Sequence, residues 1–353
     1  MSHAKSPSVC AVALTSRTVA SLTTIVRQGR LILPVPDSGR KPIAATPAIP
    51  TNQTFLKEIP MSRKTALYIV FMVLVCWAAL VVPASAQHFA QVKGTITALS
   101  AGRNEVFGFD VTGKVWRYSA SSKSFVKIAK AALVDVAVGG GTLSQLDEVW
   151  GVNALGDVYR FNYSSKSFVQ VPGLLSQIAV GVGNQDSCHP YEVWGVNSTD
   201  EIFRYNYCTN EFVQITGTLL QVATGGGDVW GINSSGHIFH FNFGSETFGA
   251  VSGVLSQISV GANEVWGVNS SNGVFRYYPT SSTFNSVGGN TAQVSAGGDG
   301  VWLVDINDHI FRFDSSSETF VQVAGILKSI AAGSGAGVFG VSPSDAAFTF
   351  VRP

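Results

Sequence analysis

Charged residues are scarce in this sequence: lysine, arginine, aspartate and glutamate together make up 13% of its 353 residues. Nine of the 23 basic side chains and two of the 22 acidic ones precede residue 87, which leaves 14 basic and 20 acidic groups after it. That later part has a net charge of −6 and contains no run of lysine or arginine. A mildly acidic surface without a basic run argues against binding to nucleic acid or to an anionic membrane surface.

The sequence also lacks the short motifs of common catalytic sites. It contains no G-x-S-x-G elbow, no H-E-x-x-H zinc motif and no glycine-rich phosphate loop. The six histidines, His3, His88, His189, His237, His240 and His309, do not have metal-ligand spacing. Acidic residues such as Asp228 and Glu264 recur along the chain, whereas a catalytic pair is expected in one place. We therefore expect no enzymatic activity, no metal and no cofactor.

One apolar run, Ala66–Val82, raises the question of export or membrane anchoring. It follows Arg63 and Lys64 and precedes the small residues Ala84–Ala86, an order typical of a secretory signal peptide. A membrane anchor fits less well, because the run is short for a span and ends at a cleavage-like site. We therefore predict a signal peptide over residues 61–86, cleaved after Ala86, with no stable membrane insertion afterwards.

The position of this signal is unusual, because signal peptides act at the N-terminus and sixty residues precede this one. Residues 1–60 show no sustained strand or helix period. We expect translation to start at Met61, with residues 1–60 an untranslated or artefactual extension. The mature protein is then residues 87–353, secreted or periplasmic.

Cysteine is equally scarce. Of four cysteines, Cys10 and Cys76 precede residue 87, which leaves Cys188 and Cys208 in the mature chain. Two cysteines in an exported protein favour a single disulfide. A metal site is less well supported, because only His189 stands beside them.

The abundant feature is a repeat. The hexapeptide EVWGVN or a close variant occurs at Glu105–Asp110, Glu148–Asn153, Glu192–Asn197, Asp228–Asn233, Glu264–Asn269, Gly300–Asp305 and Gly337–Ser342. A glycine that ends an L-x-x-I-like strand recurs 36 to 44 residues apart, at Gly102, Gly139, Gly181, Gly225, Gly261, Gly297 and Gly333. Each unit reads as four short strands, which in the third unit are Leu175–Val180, Glu192–Asn197, Glu201–Tyr205 and Phe212–Ile215.

Four-stranded units that repeat without helical segments predict an all-β fold, a seven-bladed β-propeller. Small residues lie two positions before each of these recurring glycines from Gly181 onward. The L-x-x-I strand is therefore expected to be the innermost strand, along a crowded central channel. The last unit lacks its outer strand, and Phe89–Val92 matches the outer strand Phe168–Val171. We therefore expect the N-terminal strand to close the last blade, three strands plus one, and so to remove free sheet edges.

Alternating strand direction places the first and third loops of a blade on one face. Cys188 and Cys208 occupy those two loops of blade three, which strengthens the disulfide prediction. The insertion Gly140–Asp147 of blade two belongs to the same face. The asparagines that end the hexapeptides, Asn153, Asn197, Asn233 and Asn269, are expected to close the following turns.

The unit E/D-V-W-G-V-N, turn, I-F/Y-R-Y/F-N, F-V-Q-V and L-x-Q-I-x-V-G resembles the tectonin repeat over essentially Gln87–Pro353. The resemblance implies a β-propeller, and the characterised secreted tectonins are lectins of innate defence. It further implies that the partners are glycans, either neutral or O-methylated, with lipopolysaccharide as another candidate. Familiar tectonin lectins have six blades, whereas this chain supplies seven units.

Two sets of recurring residues are candidate ligand-binding groups between blades. They are Trp150, Trp194, Trp230, Trp266 and Trp302 in the second strand, and Arg117, Arg160, Arg204, Arg276 and Arg312 in the third. An indole can stack on a sugar ring, and a guanidinium can donate to adjacent hydroxyls. Both sets also have a structural alternative. The indoles can pack between blades, which we favour for most of them. The arginines can pair with acids such as Glu148 or Glu192, and for them both roles stay open. His240 and Thr349 replace the arginine in blades four and seven, so these blades should bind weakly if the grooves between blades are the binding sites.

Three functions are compatible with these observations. The first is a monomeric, secreted lectin that binds glycans without catalysis. The second is a protein-interaction scaffold that uses the enlarged loops of blades two and three. The third, a hydrolase at the channel mouth, has least support, because no catalytic constellation is present.

Overall fold

The computed structural model describes residues 31–33, 57–59 and 87–352. The chain divides into two compact units, residues 1–85 and 86–353. In the first unit, Leu31–Leu33 (β1) pairs antiparallel with Lys57–Ile59 (β2). The signal peptide predicted at residues 61–86 lies outside the described residues. Among the residues that are described, there is no helix long and apolar enough to cross a membrane.

The second unit is built from strands. In chain order they are His88–Thr95 (β3), Ala98–Ala101 (β4), Val106–Phe109 (β5), Lys114–Ser119 (β6), Ser124–Ala132 (β7), Asp135–Gly139 (β8), Glu148–Val152 (β9), Asp157–Asn162 (β10), Ser167–Leu174 (β11), Gln177–Asp186 (β12), His189–Val196 (β13), Glu201–Asn206 (β14) and Glu211–Thr218 (β15). They continue with Gln221–Gly225 (β16), Asp228–Ile232 (β17), His237–Asn242 (β18), Thr247–Val254 (β19), Gln257–Val260 (β20), Val265–Val268 (β21), Val274–Tyr278 (β22), Thr283–Gly288 (β23), Thr291–Gly297 (β24), Gly300–Asp305 (β25), His309–Asp314 (β26), Thr319–Ile326 (β27), Ser329–Ala332 (β28), Val338–Val341 (β29) and Ala346–Val351 (β30).

These strands pair in antiparallel groups of four, which we number as sheets in chain order. Sheet 1 is β4–β7, sheet 2 is β8–β11, sheet 3 is β12–β15, sheet 4 is β16–β19, sheet 5 is β20–β23 and sheet 6 is β24–β27. Sheet 7 consists of β28–β30 and β3. Single parallel bridges from β3 to β27 and from β3 to β7 join sheets 6, 7 and 1 into one twelve-stranded sheet.

The strand at the beginning of the second unit pairs with the strand at its end. β3 runs antiparallel to β30, with Phe89 opposite Phe350 and Ala90 opposite Thr349. The ring of Phe89 lies 5.5 Å from that of Phe350 and 5.7 Å from the indole of Trp302 in sheet 6. The pairing thus supplies sheet 7 with the outer strand that its own repeat lacks.

The second strand of each sheet is buried on both faces, as its uninterrupted apolar pattern predicts. In β21 all four residues, Val265–Val268, are buried. Close packing requires the glycine in this strand. In the equivalent strand β13, a Cβ added to Gly195 would lie 2.4 Å from Leu175 Cδ1. In five sheets, a leucine that precedes the inner strand fills the space that the missing side chain leaves: Leu133, Leu175, Leu219, Leu255 and Leu327.

The predicted bounds of the inner strand in sheet 3 were wrong. Leu175 precedes β12 instead of opening it, because its N–H donates to the carbonyl of Gly156 across a loop, at 2.9 Å. At the other end the strand runs to Asp186, six residues beyond the predicted Val180, because it continues into a hairpin with β13. The enlarged first loop of this sheet is therefore mostly extended strand.

The turns after the second strands form as predicted. The Oδ1 of Asn153 accepts the N–H groups of Leu155 and Asp157, and Asn197, Asn233 and Asn269 accept the equivalent pairs. Left-handed backbone occurs in these turns, at Gly236 with a φ of 79° and at Asn272 with a φ of 63°. The asparagines are thus turn formers.

Candidate functional site

The five candidate tryptophans are buried between neighbouring sheets. Each is between 0 and 1% exposed. The indole of Trp194 in sheet 3 lies 4.7 Å from the ring of Phe241 and 5.8 Å from that of Phe248, both in sheet 4. Trp150, Trp230, Trp266 and Trp302 make the same kind of contact with the following sheet. This placement favours the packing interpretation, because a sugar stacks only on an open ring face.

The repeat brings an acid, an indole and an arginine together on one side of each sheet. In sheet 3, Glu192 and Trp194 are two residues apart on one strand, and Arg204 is the cross-strand partner of Trp194. Side chains alternate along a strand, so all three point the same way. The Trp194 Nε1–H donates to Glu192 at 2.7 Å, and Arg204 donates from Nε and Nη2 at 2.9 and 2.6 Å.

We call this arrangement a carboxylate clamp. Complete clamps are Glu148–Trp150–Arg160, Glu192–Trp194–Arg204 and Glu264–Trp266–Arg276. Sheet 1 keeps the ion pair of Glu105 with Arg117 but has Phe107 in place of the indole. Of the two roles left open for the arginines, pairing with an acid of the repeat is the one observed for Arg117, Arg160, Arg204 and Arg276. The side of the fork that faces the acid is thereby engaged, through Nε and Nη2 in Arg160 and Arg204 and through Nη2 in Arg276.

The surroundings of these arginines reinforce their positive charge. The hydrogen bond to Glu105 raises the pKa of Arg117 above its ordinary value, against the opposing effect of burial. Burial lowers the pKa of Arg160, but hydrogen bonding to Glu148 outweighs it, and the net pKa is raised. Both guanidiniums are therefore permanently charged partners of a mostly buried carboxylate.

Sheet 4 holds a shortened version of the clamp. His240 replaces arginine, and its Nε2 lies 2.5 Å from Oδ1 of Asp228, while Trp230 Nε1–H donates to Oδ2 at 2.9 Å. The imidazole stacks on the indole, with ring centres 4.2 Å apart. Burial raises the pKa of Asp228, but the hydrogen bonds from His240 and Trp230 outweigh it, so that the net pKa is lowered.

The remaining two sheets lack the acid. Sheet 7 has Gly337, Phe339 and Thr349 at the three positions, so neither charge remains. Sheet 6 keeps Trp302 and Arg312 but has Gly300 where the glutamate stands elsewhere. Arg312 makes no hydrogen bond or ion pair with any described residue, and its guanidinium lies 5.7 Å from the indole of Trp302. Of the five predicted arginines, it is the one whose fork has no protein acceptor within residues 87–352.

Two of the predicted arginines line surface grooves at the edges of adjoining sheets. The first groove, about 900 Å³, contains Arg117, Tyr118, Asn104 and the cationic residues Arg103, Lys127 and Lys166. The second, about 560 Å³, contains Arg312 together with Gln87, Asp314, Ser315 and Gln322. Each groove combines a guanidinium with neutral polar groups, which is the chemistry that donates to and accepts from sugar hydroxyls.

A third cavity, about 410 Å³, lies among the inner strands. The small residues two positions before the recurring glycines all line this cavity: Ser100, Ala137, Ala179, Ala223, Ser259, Ser295 and Ala331. In sheets 3 to 6, a glutamine two residues before the small residue ties its inner strand to the next one. Gln177, for example, donates to the carbonyl of Val222 at 3.0 Å and accepts its N–H at 3.0 Å. The predicted inner position of the L-x-x-I strand is confirmed.

Asp135 takes the glutamine position in sheet 2, and its substitution should stabilise the protein. Its Oδ2 accepts the N–H of Ile178 at 2.9 Å, and burial raises its pKa despite that hydrogen bond. We expect Asp135→Asn to increase the free energy of unfolding by about 1 kcal/mol at pH 7, because the amide carries no charge and can also donate. The gain should shrink as the pH falls through the raised pKa, since protonated Asp135 is neutral too. Urea unfolding at several pH values measures this.

The matched control reverses the change. Gln177→Glu places a carboxylate where the amide donates to Val222, and it should cost about 1–3 kcal/mol at neutral pH. An Asp135→Asn variant less stable than the parent at pH 7 would contradict the interpretation.

The disulfide between Cys188 and Cys208 is present, as predicted. It joins the β12–β13 hairpin to the turn after β14. The hydroxyl of Tyr191 in the same hairpin donates to the carbonyl of Leu146 at 3.2 Å, so that it also contacts the insertion of sheet 2. Leu143 at the tip of that insertion is 93% exposed. These loops form a second surface, distinct from the grooves.

Loss of the disulfide should weaken the fold measurably. The bond closes a loop of 20 residues, for which chain entropy predicts a stabilisation of about 3 kcal/mol. We expect Cys188→Ser with Cys208→Ser to lower the free energy of unfolding by up to that amount in urea titrations. The parent treated with reductant should match the double variant, and the variant itself should not respond to reductant.

Sequence reasoning missed one residue that organises these loops. The carboxylate of Asp147 is 1% exposed and accepts the N–H groups of Arg103, Asn104, Glu105 and Gly141 at 2.6 to 3.1 Å. It thereby fixes the first loop of sheet 1 against the insertion of sheet 2. The sequence carries no signal for this, because its partners are backbone groups. The missing acid at Gly300, by contrast, could be read directly from the aligned repeats.

No group of three or more histidine, cysteine, aspartate or glutamate side chains within the described ranges could hold a metal ion. A sequence profile described as the Tectonin domain matches residues 79–250 and 254–352. A comparison with curated proteins finds no match.

Solved structures with a similar fold are distant in sequence. The β-propeller domain of Cps50 (Swd1) from Myceliophteria thermophila is 8% identical, with a TM-score of 0.55 over 75% of this chain and 99% of that one. YCF48 bound to D1 peptide is 12% identical, with a TM-score of 0.57 over 77% and 99%. The WD40 repeats of RRP9 are 10% identical, with a TM-score of 0.56 over 77% and 99%. These likenesses show the β-propeller fold.

Proposed function

The chain belongs to the tectonin family, and on that premise we propose that it is a non-catalytic carbohydrate-binding protein. Its ligands are neutral or O-methylated glycans of a cell surface, with lipopolysaccharide among the candidates. The basic, apolar and small-residue order of residues 61–86 supports export, so the proposed location is outside the cell or in the periplasm. The proposed active form is a monomer without cofactor.

We propose that the seven sheets are the blades of one closed ring. The inner strands contact one another in sequence, from β4 to β8 and onward to β24 and β28, and β28 in turn contacts β4. The pairing of β3 with β30 supports closure by three strands plus one. A rigid ring holds its grooves at fixed separations, which strengthens binding to a dense glycan surface through multivalency.

The observation that carries the proposal is the pair of arginine-containing grooves. They lie on either side of sheet 7, at Arg117 and at Arg312, and both are lined by neutral polar groups as well as by the guanidinium. The buried tryptophans contribute by holding the sheets in place, not by stacking on sugar. Sheets 4 and 7, with His240 and Thr349 at the arginine position, are expected to contribute little binding.

A glycan array tests the function directly. The purified protein is applied to an array that includes methylated sugars and lipopolysaccharides, and we expect saturable binding to a subset of them. Lys127→Ala removes one exposed cation from the Arg117 groove at a regular strand position, and it should weaken binding if that groove is a site. Failure of the folded parent to bind any glycan would overturn the proposal.

The second candidate is a protein-interaction scaffold at the disulfide-linked loops. The observation that favours it is the exposed Leu143 and the half-exposed Leu146, which stand beside the ordered hairpin of Tyr191. YCF48, which shares the fold, was solved with a bound peptide. The double variant Leu143→Ser, Leu146→Ser should leave glycan binding unchanged if the grooves are the binding sites. It should abolish binding of the protein partner if the loops are the binding surface.

A further inference from the structure

The carboxylate clamps of this protein show what their donors bind. In three sheets, a carboxylate accepts from the arginine fork and from the indole N–H, with donor–acceptor distances of 2.6 to 2.9 Å in sheet 3. Sheet 1 holds a carboxylate with the arginine alone. In all four sheets Nη2 of the arginine donates to Oε1 of the glutamate, although the surrounding loops differ. The arrangement of arginine over indole is therefore a carboxylate site by internal example.

Sheet 6 keeps the donors and lacks the acid. Arg312 is the cross-strand partner of Trp302, and its guanidinium lies 5.7 Å from the indole. The corresponding distances are 5.6 Å for Arg160, 5.4 Å for Arg204 and 5.6 Å for Arg276. Arg312 thus holds the clamp position without a glutamate to hold it there.

The missing glutamate leaves Arg312 as the donor for a ligand. A Cβ built on Gly300 would lie 3.6 Å from Trp302 Nε1 and 3.9 Å from Arg312 Nε. The indole of Trp302 is fully buried, and its N–H makes a long contact of 3.4 Å with the carbonyl of Asp299. Arg312 is only half-buried and lines the groove, so its fork is the donor that a ligand can reach.

The groove beside Arg312 supplies groups for the rest of a sugar. Gln87 and Ser315 offer neutral donors and acceptors. The one acid in its lining, Asp314, already accepts from the backbone and hydroxyl of Ser316 and from the hydroxyl of Ser317. Asp299 is paired with Arg352, so that among the described residues no acid compensates the charge of Arg312.

We propose that the Arg312 groove binds the carboxylate of an acidic sugar, a hexuronate within a glycan. The ligand's two carboxylate oxygens accept from the Arg312 fork, as a glutamate accepts from the arginine in sheets 2, 3 and 5. The pyranose then lies along Gln87 and Ser315. This inference rests on the proposed carbohydrate-binding function and gives one of its grooves an acidic specificity.

Titration calorimetry on the purified protein tests it with three probes: methyl galacturonoside, methyl galactoside and acetate. We expect the galacturonoside to bind about ten- to one-hundredfold more tightly than the neutral galactoside, because its carboxylate makes charge-assisted hydrogen bonds. Arg312→Thr, which installs the residue found at this position in sheet 7, should abolish that preference. Arg312→Lys should retain only part of it, because lysine lacks the bidentate fork.

The matched control is Lys114→Thr, which removes the same charge at an exposed position outside both grooves and should leave the preference unchanged. Circular dichroism establishes that the Arg312 variants are folded. Equal affinity for the two methyl glycosides, or a preference that survives in Arg312→Thr, would overturn the inference and leave glycan binding intact. Binding of acetate without binding of either glycoside would overturn the inference, whereas the proposed function fails only if no glycan on the array binds.

Discussion

An Arg204→Leu variant should unfold about 3–5 kcal/mol more easily than the parent, because it leaves a buried carboxylate without its partner. Glu192 is completely buried in its clamp, and the side chain of Arg204 is 8% exposed. Leucine keeps most of the apolar volume that covers Trp194, so the loss is electrostatic in origin. Urea or thermal unfolding, followed by tryptophan fluorescence, measures the difference.

Two comparisons separate this effect from general damage to the sheet. Adding Glu192→Leu to Arg204→Leu should recover part of the lost stability, because the unpaired charge is gone. Arg312→Leu at the equivalent position of sheet 6 should cost about 1 kcal/mol or less, since no buried acid depends on Arg312. Equal losses for Arg204→Leu and Arg312→Leu would show that the clamps do not carry stability.

Removal of strand β3 should destabilise the protein more than any single substitution. A chain that begins at residue 97 lacks Phe89 and Val92, which pack in the cores on both sides of sheet 7. It also leaves β30 as a free edge. The loss should exceed the roughly 3–5 kcal/mol that one Phe→Ala substitution in a core costs.

A chain that begins at residue 87 is the control, because it keeps β3 intact. We expect it to show one cooperative unfolding transition, whereas the chain from residue 97 aggregates or unfolds at much lower denaturant. Comparable unfolding midpoints for the two chains would contradict the proposed closure by three strands plus one.

The fold could be predicted because each repeat carries its own strand and turn signals. Alternation in Glu264–Asn269 marks a strand buried on both faces, and the following asparagine and glycine mark the turn. The bounds of β12 could not be predicted in the same way. Its extension to Asp186 depends on pairing with β13, and a pairing partner that is inserted in only one unit leaves no periodic signal.

The sequence predicts where the recurring tryptophans and arginines lie in each sheet, but it predicts less well whether they pack or bind a ligand. The sequence places Trp194 and Arg204 on facing strands, but it does not show that the neighbouring sheet covers the indole completely. Burial follows from the distance between two sheets, and that distance is set by Phe241 and Phe248 of the next repeat. The structure shows that four of the arginines each pair with the glutamate at the start of the neighbouring strand. Once that contact is known, Gly300 in the aligned repeats identifies Arg312 as the arginine without an acid.

The exceptions to the repeat are the more informative positions. Four copies use their arginine to neutralise an acid of the same sheet, which makes that arginine part of the scaffold. The copy with Gly300 keeps the arginine and lacks the acid, so that Arg312 has no acceptor among the described residues. The inference proposed above assigns that free fork to a ligand carboxylate.

The most direct test is a crystal structure of the protein with a glycan selected on the array. We expect sugar density in the groove of Arg312 or in that of Arg117, with a guanidinium within hydrogen-bond distance of the ligand. Sugar bound instead within the cavity of the inner strands, or on the loops around Cys188 and Cys208, would contradict glycan binding in the arginine-containing grooves.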